Sequence, residues 1–168
     1  MHGHHLTGIV AAAVALVALA PVSAVAADHR IPLGNTPSDI PAEDCGFPIH
    51  VDVVQDREYI VKTRDNPDGS SSLRVTGKLI LRFTKTDSGD SIVRNVGGPG
   101  SVTFSDDGAV FESEGRSVGF YSPAEQATAG VPGLQFVNGH STVVTDANLA
   151  ATSVTIRGRS EDGCALLG

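Results

Sequence analysis

Residues 91–116 read SIVRNVGGPGSVTFSDDGAVFESEGR, and the reading of this stretch decides the fold. Asp107-Gly108 tolerates the positive φ angles of a two-residue turn, whose twist matches that of the strands it joins. With those residues at the turn, Asp106 faces Ala109, Phe104 faces Phe111 and Val102 faces Ser113. One face is then apolar. The other carries Thr103 and Glu112, with Ser101 opposite Glu114, which is the alternation of a half-buried strand pair. Upstream, Gly97-Gly98-Pro99-Gly100 breaks the preceding apolar run, because proline cannot donate to a ladder and glycine allows a sharp change of direction.

Working outward, the same pattern recurs. Ile49, Val51 and Val53 alternate with His50 and Asp52, and Tyr59, Val61 and Thr63 alternate with Glu58, Lys62 and Arg64. Asn66-Pro67-Asp68-Gly69 reads as a turn. From Leu73 to Thr84, Leu73, Val75, Gly77, Leu79, Leu81 and Phe83 share one face; such a run would stretch about 40 Å if straight, so a bend is expected at Gly77. Asp87–Asp90 is a further turn, and Val118 and Phe120 continue the β pattern. Ser122–Gly133 reads as a surface loop. Asn138-Gly139 is expected to turn a second hairpin, with Phe136 facing Ser141 and Leu134 facing Val143, and Val154 and Ile156 supply a last strand. No stretch shows a 3.6-residue period. The expectation is an all-β fold of about eight to ten short strands, an antiparallel barrel first and a two-sheet β-sandwich second.

The first 27 residues have the layout of a secretory signal peptide: an apolar run from Ile9 to Ala20 too short to span a bilayer, then small residues that place cleavage after Ala26 or Ala27. The leading region carries histidines in place of the usual Lys or Arg. Residues 28–44 hold Pro32, Pro37 and Pro41 and no hydrophobic period, so they read as an extended linker ahead of a single domain over 45–168. Cys45 and Cys164 are the only cysteines. In an exported chain they are most simply one disulfide closing that domain, the alternative being two free thiols. No further transmembrane segment follows the leader. The chain has 12 basic and 19 acidic residues, a formal charge of −7 that argues against a nucleic-acid groove and for solubility.

Motifs for chemistry are weak. Gly115-Arg116-Ser117-Val118-Gly119 fits G-x-S-x-G, with Glu125 and His140 following in triad order, but β-like residues follow the serine where a nucleophile elbow needs a helix. Gly89-Asp90-Ser91-Ile92 resembles an esterase serine block without its later histidine. His50 and Asp52 share a strand face and lack a third metal ligand, and the acidic turn at Asp65–Gly69 lacks the spacing of a calcium loop. No cofactor motif is present.

Cys45-Gly46-Phe47-Pro48-Ile49, Ile92-Val93-Arg94-Asn95-Val96 leading into Gly98-Pro99-Gly100, Asp107-Gly108, Pro132-Gly133-Leu134 and Asp162-Gly163-Cys164-Ala165-Leu166-Leu167 resemble a group of small exported proteins of actinobacteria. The resemblance implies secretion, paired cysteines and a β-fold, and it implies no catalytic residue. The expected function is that of a secreted, monomeric, non-catalytic protein. A packed interior is the default for a small barrel, yet small groups on the inward face leave room for an apolar ligand. The candidate lining is Gly77, Phe83, Phe104, Ala109, Phe111, Ser113 and Phe136, opening near Ser122–Gly133. The alternatives are a structural or cell-envelope protein acting through its surface, or an enzyme of a type the motifs do not reveal.

Overall fold

A computed structural model describes residues 30–168. In chain order the elements are β1 (Ile31–Pro32), β2 (Ser38–Ile40), α1 (Ala42–Cys45), β3 (Ile49–Asp65), β4 (Ser71–Lys85), β5 (Ser91–Asn95), β6 (Gly100–Ser105), β7 (Gly108–Phe120), α2 (Pro123–Ala129), β8 (Leu134–Thr145), β9 (Ala151–Asp162) and α3 (Gly163–Leu167). The strands make one antiparallel sheet in the order β1-β3-β4-β6-β7-β8-β9, with β2 also on β3 and β5 also on β4. The fold is all-β, and the sheet curls without closing into a barrel. The expected signal peptide and its cleavage site lie outside the described residues.

The β6–β7 hairpin forms with its turn one residue earlier than expected. Ser105 pairs with Gly108, so Asp106-Asp107 make the turn, Phe104 faces Ala109 and Val102 faces Phe111. Moving the turn by one residue moves each pairing by two, so every side chain keeps its face. Gly108 falls in the ladder, where an added Cβ would overlap the Thr145 carbonyl oxygen of the neighbouring strand β8.

The strands are longer than expected, because two features that resemble punctuation lie inside them. β3 runs for 17 residues and looks like two segments in the sequence because bulges at Val53/Gln55 and Ile60/Lys62 switch its alternation. Ile49, Val51 and Val53 face one side before the first bulge; Glu58 and Ile60 face it afterwards. Asn138-Gly139 is not a turn. It lies within β8, with Gly139 opposite Gly115 of β7 on one side and Gly158 of β9 on the other. Gly139 has φ +153°, and a Cβ there would overlap the Arg157 carbonyl oxygen. This row of glycines is a fold line. Ser113 and Ser117 flank it on β7 and would be about 13 Å apart along a straight strand, yet their hydroxyls are hydrogen-bonded at 3.0 Å.

β4 bends where expected. Ser71–Val75 pair with β6 and Ile80–Thr84 pair with β5, so the strand changes partner around Gly77, whose φ is +139°. The Gly-rich connection from β5 to β6 passes alongside, with the Val96 and Gly97 N–H groups both donating to the Leu79 carbonyl at 2.8 and 3.2 Å. Gly77 itself sits against the β3 backbone rather than in an open interior.

Two segments read as irregular are ordered by partners. Within the stretch read as a linker, β1 pairs Ile31 with Ile60, and β2 pairs Ser38–Ile40 with Ile49–Val51. The prolines are tolerated because these are edge strands. Ser122–Gly133 contains α2 rather than loop alone: Ser122 is the N-cap, Pro123 opens the helix, and Glu125 Oε2 accepts from the Ser122 N–H at 2.8 Å.

The packed core lies between the second half of β4 and the first half of β8. Phe83 is fully buried, edge-on to Phe136 at 5.1 Å and tilted against Phe120 at 6.4 Å, with Ile49, Val51, Leu81 and Leu134 around them. Burial of an aromatic ring of this kind contributes about 2–3 kcal/mol. Cys45 of α1 is bonded to Cys164 of α3, with Cα atoms 5.2 Å apart. The bridge thus ties the helical turn before β3 to the one after β9.

Asn35 fastens the N-terminal arm. Its backbone N–H and Nδ2 donate to Asp56 Oδ2 at 2.8 and 3.1 Å, and Nδ2 also donates to Glu58 Oε2 at 3.1 Å. Burial raises the Glu58 pKa, the Asn35 bond opposes this, and the Asp56 charge adds to the rise. For Asp56, burial is outweighed by hydrogen bonds from the Glu58 N–H and from Asn35, and its pKa is lowered. A carboxyl whose folded pKa is raised weakens the fold while ionised, and this penalty disappears as pH falls through its folded pKa. Glu58→Gln is therefore expected to raise Tm by roughly 2–4 °C at neutral pH, as a gain of about 1 kcal/mol would, and to change little near about pH 4. Thermal melts at both pH values check this; a lower Tm at neutral pH would mean that the charge holds the arm in place.

Candidate functional site: a concave apolar cavity

The register of β6–β9 builds an apolar wall from residues far apart in sequence. Val102, Phe111, Val143 and Val154 form one row across the four strands, and Gly100, Ser113, Ser141 and Ile156 form the next. The fold line at Gly115, Gly139 and Gly158 bends this wall toward the side bearing Ser113 and Ser117. The result is a cavity of about 1110 Å³, reached also by Val75 of β4 and Phe104 of β6. Its volume lies just above the roughly 300–1,000 Å³ of ordinary small-molecule sites. The cavity is also lined by Ser38–Ile40 of β2, Pro41, Glu43 and Asp44 of α1, and Tyr121, Ser122 and Glu125 at the start of α2.

The wall residues Val75, Val102, Phe104, Phe111, Val143, Val154 and Ile156 are all only half-buried, in contrast to Phe83 and Leu134 in the core. Their apolar faces meet open space. Phe104 and Phe111 stand edge-on at 6.4 Å, giving an aromatic corner. One polar strip crosses the wall: the Ser113 and Ser141 hydroxyls are 2.6 Å apart, and Ser113 Oγ donates to Ser117 Oγ. Tyr121 folds back over Gly119, and its phenol pKa is pushed up to about 12 by burial and by the nearby Glu125 charge. Glu125 is held by three hydrogen bonds, since Oε2 accepts from the Ser122 N–H and hydroxyl and Oε1 accepts from the Ala151 N–H at 2.7 Å. Burial opposes ionisation of this carboxyl, and those hydrogen bonds prevail, so its pKa is lowered.

Of the residues expected to line a pocket, Phe104, Phe111 and Ser113 do so. Phe83 and Phe136 do not: they are stacked together in the packed core. Gly77 lies at the β3–β4 contact. Ala109 is buried at the β7–β8 ladder, where its N–H donates to Thr145 Oγ1 at 3.0 Å, so a larger side chain there would disturb the sheet instead of filling the cavity. The wall from β2 and α1 was not legible, because Pro-rich residues 31–41 carry no periodicity of their own. α2 had a readable signal in Ser122-Pro123-Ala124-Glu125, a capping box with proline at the first helical position.

No hydrogen bond joins the residues of the hydrolase-like motif. Ser117 lies inside β7 and bonds Ser113, Glu125 bonds Ser122 and Ala151, and His140 bonds Glu114 at 2.7 Å and Thr142 at 3.1 Å. His50 is paired with Asp39 at 2.7 Å and Asp52 at 3.3 Å on an exposed face, and its pKa is raised by the Asp39 hydrogen bond first, against desolvation. Among the described residues no cluster of side chains has the arrangement of a metal site, and no helix is long and apolar enough to cross a membrane. No family model matches the chain, and no curated protein or solved structure is similar to it.

Proposed function

We propose that this is an exported, non-catalytic binding protein that holds a small apolar molecule against the concave wall of β6–β9. The observation that carries this reading is the cavity itself: aromatic and branched side chains from five strands converge on it and stay only half-buried there. Leaving so much apolar surface uncovered is unfavourable by roughly 25 cal/mol for each Å² that burial would remove from water, and a ligand recovers that energy. The disulfide fits an oxidising compartment, and the leader-like first 27 residues supply the route there.

Titration with an environment-sensitive apolar dye is expected to give saturable one-to-one binding. Ser113→Phe places a ring in the cavity from β7, and Val154→Phe does so from β9. Each is expected to weaken the dye by roughly five- to hundredfold, as a clash of about 1–3 kcal/mol implies, with far-UV circular dichroism and Tm reporting the fold. No saturable binding by the folded protein would sink the proposal and favour a role played through the outer surface.

A further inference from the structure

The charge around the cavity is one-sided. Three carboxylates gather at its α1–α2 end, those of Glu43, Asp44 and Glu125, and no Lys, Arg or His lines it. Among the described residues none of the three forms an ion pair, whereas Asp39 and Glu112, which also border the cavity, turn their carboxylates to the outer face, toward His50 and Ser101. The alternation of β4 sends Arg74, Lys78 and Arg82 to exposed positions on the face opposite Val75. Twelve cations are present in the chain, so the sequence does not lack them; the fold keeps them off this surface.

The acids are concentrated where α1 meets α2. Glu43 and Asp44 belong to α1, and Gln126 Nε2 of α2 donates to the Asp44 carbonyl at 3.0 Å, which brings Glu125 alongside. The Asp44 carboxyl is raised by burial and then by the charges of Glu43 and Glu125, consistent with three carboxylates sharing one end of the cavity. Glu125 is fixed by its hydrogen bonds and cannot swing away.

Resting on the proposal that the cavity holds an apolar molecule, we infer that its ligand carries a cationic nitrogen, seated at the α1–α2 end, with its apolar body along the wall of β6–β9. Carboxylates with no cationic partner attract an ammonium or guanidinium group and repel an anionic head, while the Val102, Phe111, Val143 and Val154 row is indifferent to charge. A fatty acid presents the wrong sign to this end of the site. An apolar amine, or an alkyl chain with a quaternary ammonium head, presents the right one.

The test uses three probes with the same alkyl chain, decyltrimethylammonium, decanol and decanoate, each competing with the apolar dye at neutral pH. The ammonium probe is expected to bind roughly five- to tenfold more tightly than decanol, and decanoate more weakly than decanol, as two or three partly exposed charge contacts imply. The spread should shrink toward unity near about 1 M salt, where the Debye length is about 3 Å. Glu43→Gln combined with Asp44→Asn should narrow it at low salt. Decanoate binding as well as the ammonium probe, or a spread insensitive to salt and to both substitutions, would overturn the inference while leaving the apolar site standing. Displacement of the dye by none of the three would count against the cavity as a binding site.

Discussion

Replacing Cys45 by Ser is expected to lower Tm by roughly 10–20 °C, the largest loss from any single side chain in this fold. Cys45 and Cys164 are 119 residues apart in sequence. On the chain-entropy account, closing a loop of that size restricts the unfolded chain by about 5 kcal/mol, and each kcal/mol shifts Tm by roughly 2–4 °C or more in a domain of this length. The native location of the bridge reinforces the effect. α1 and α3 lie at the two ends of a sheet that no ladder closes, so the disulfide supplies covalently the link that hydrogen bonds do not. Thermal melts of the variant and of the reduced, alkylated protein should agree with each other. Midpoints equal to that of the oxidised protein would show that non-covalent packing alone, through Leu167 and Phe47, holds the ends together.

Gly139→Ala is expected to destabilise the protein by about 3 kcal/mol or more, far beyond the usual effect of adding one methyl group. The new Cβ would overlap the Arg157 carbonyl oxygen of β9, and the backbone holds φ +153°, outside the ordinary range of an L residue. The overlap is relieved only if β9 moves away, which would open the row formed with Gly158 and flatten the wall of the cavity, and the unfavourable backbone angle remains. Gly115→Ala is the control. It lies in the same row with φ +85°, but nothing stands within 4 Å of its added Cβ, so only the conformational penalty of about 1–2 kcal/mol applies. Denaturant midpoints give the comparison: Gly139→Ala should lose clearly more than Gly115→Ala, and its dye binding should fall with it. Equal losses would mean that the backbone angle, and not the close approach of β8 to β9, is what the glycine serves.

The strand content, the paired cysteines, the apolar face shared by Leu73, Val75, Val102, Phe104 and Phe111, and the bend at Gly77 were all legible in the amino-acid order, because each depends on local chemistry: side-chain alternation, thiol number, or a missing Cβ. Local rules also erred where two structures fit the same residues. Asn138-Gly139 is as good a turn as it is a hinge within a strand, and only its position between Gly115 and Gly158 decides for the hinge. The turn at Asp106-Asp107 differs from the expected one by a single residue, and the face assignment survived because register moves in steps of two. Pro-rich residues 31–41 carry no pattern that announces a strand, since β1 and β2 are extended by docking on β3 rather than by their own preference. The cavity is the clearest case. Alternation placed Phe83, Phe104, Phe111 and Phe136 together on an interior, but Phe83 and Phe136 interlock while Phe104 and Phe111 face open space. Alternation specifies which face of a strand is apolar; whether another layer covers that face depends on how far the sheet curls, and the curl is set by three glycines that meet only in the folded chain.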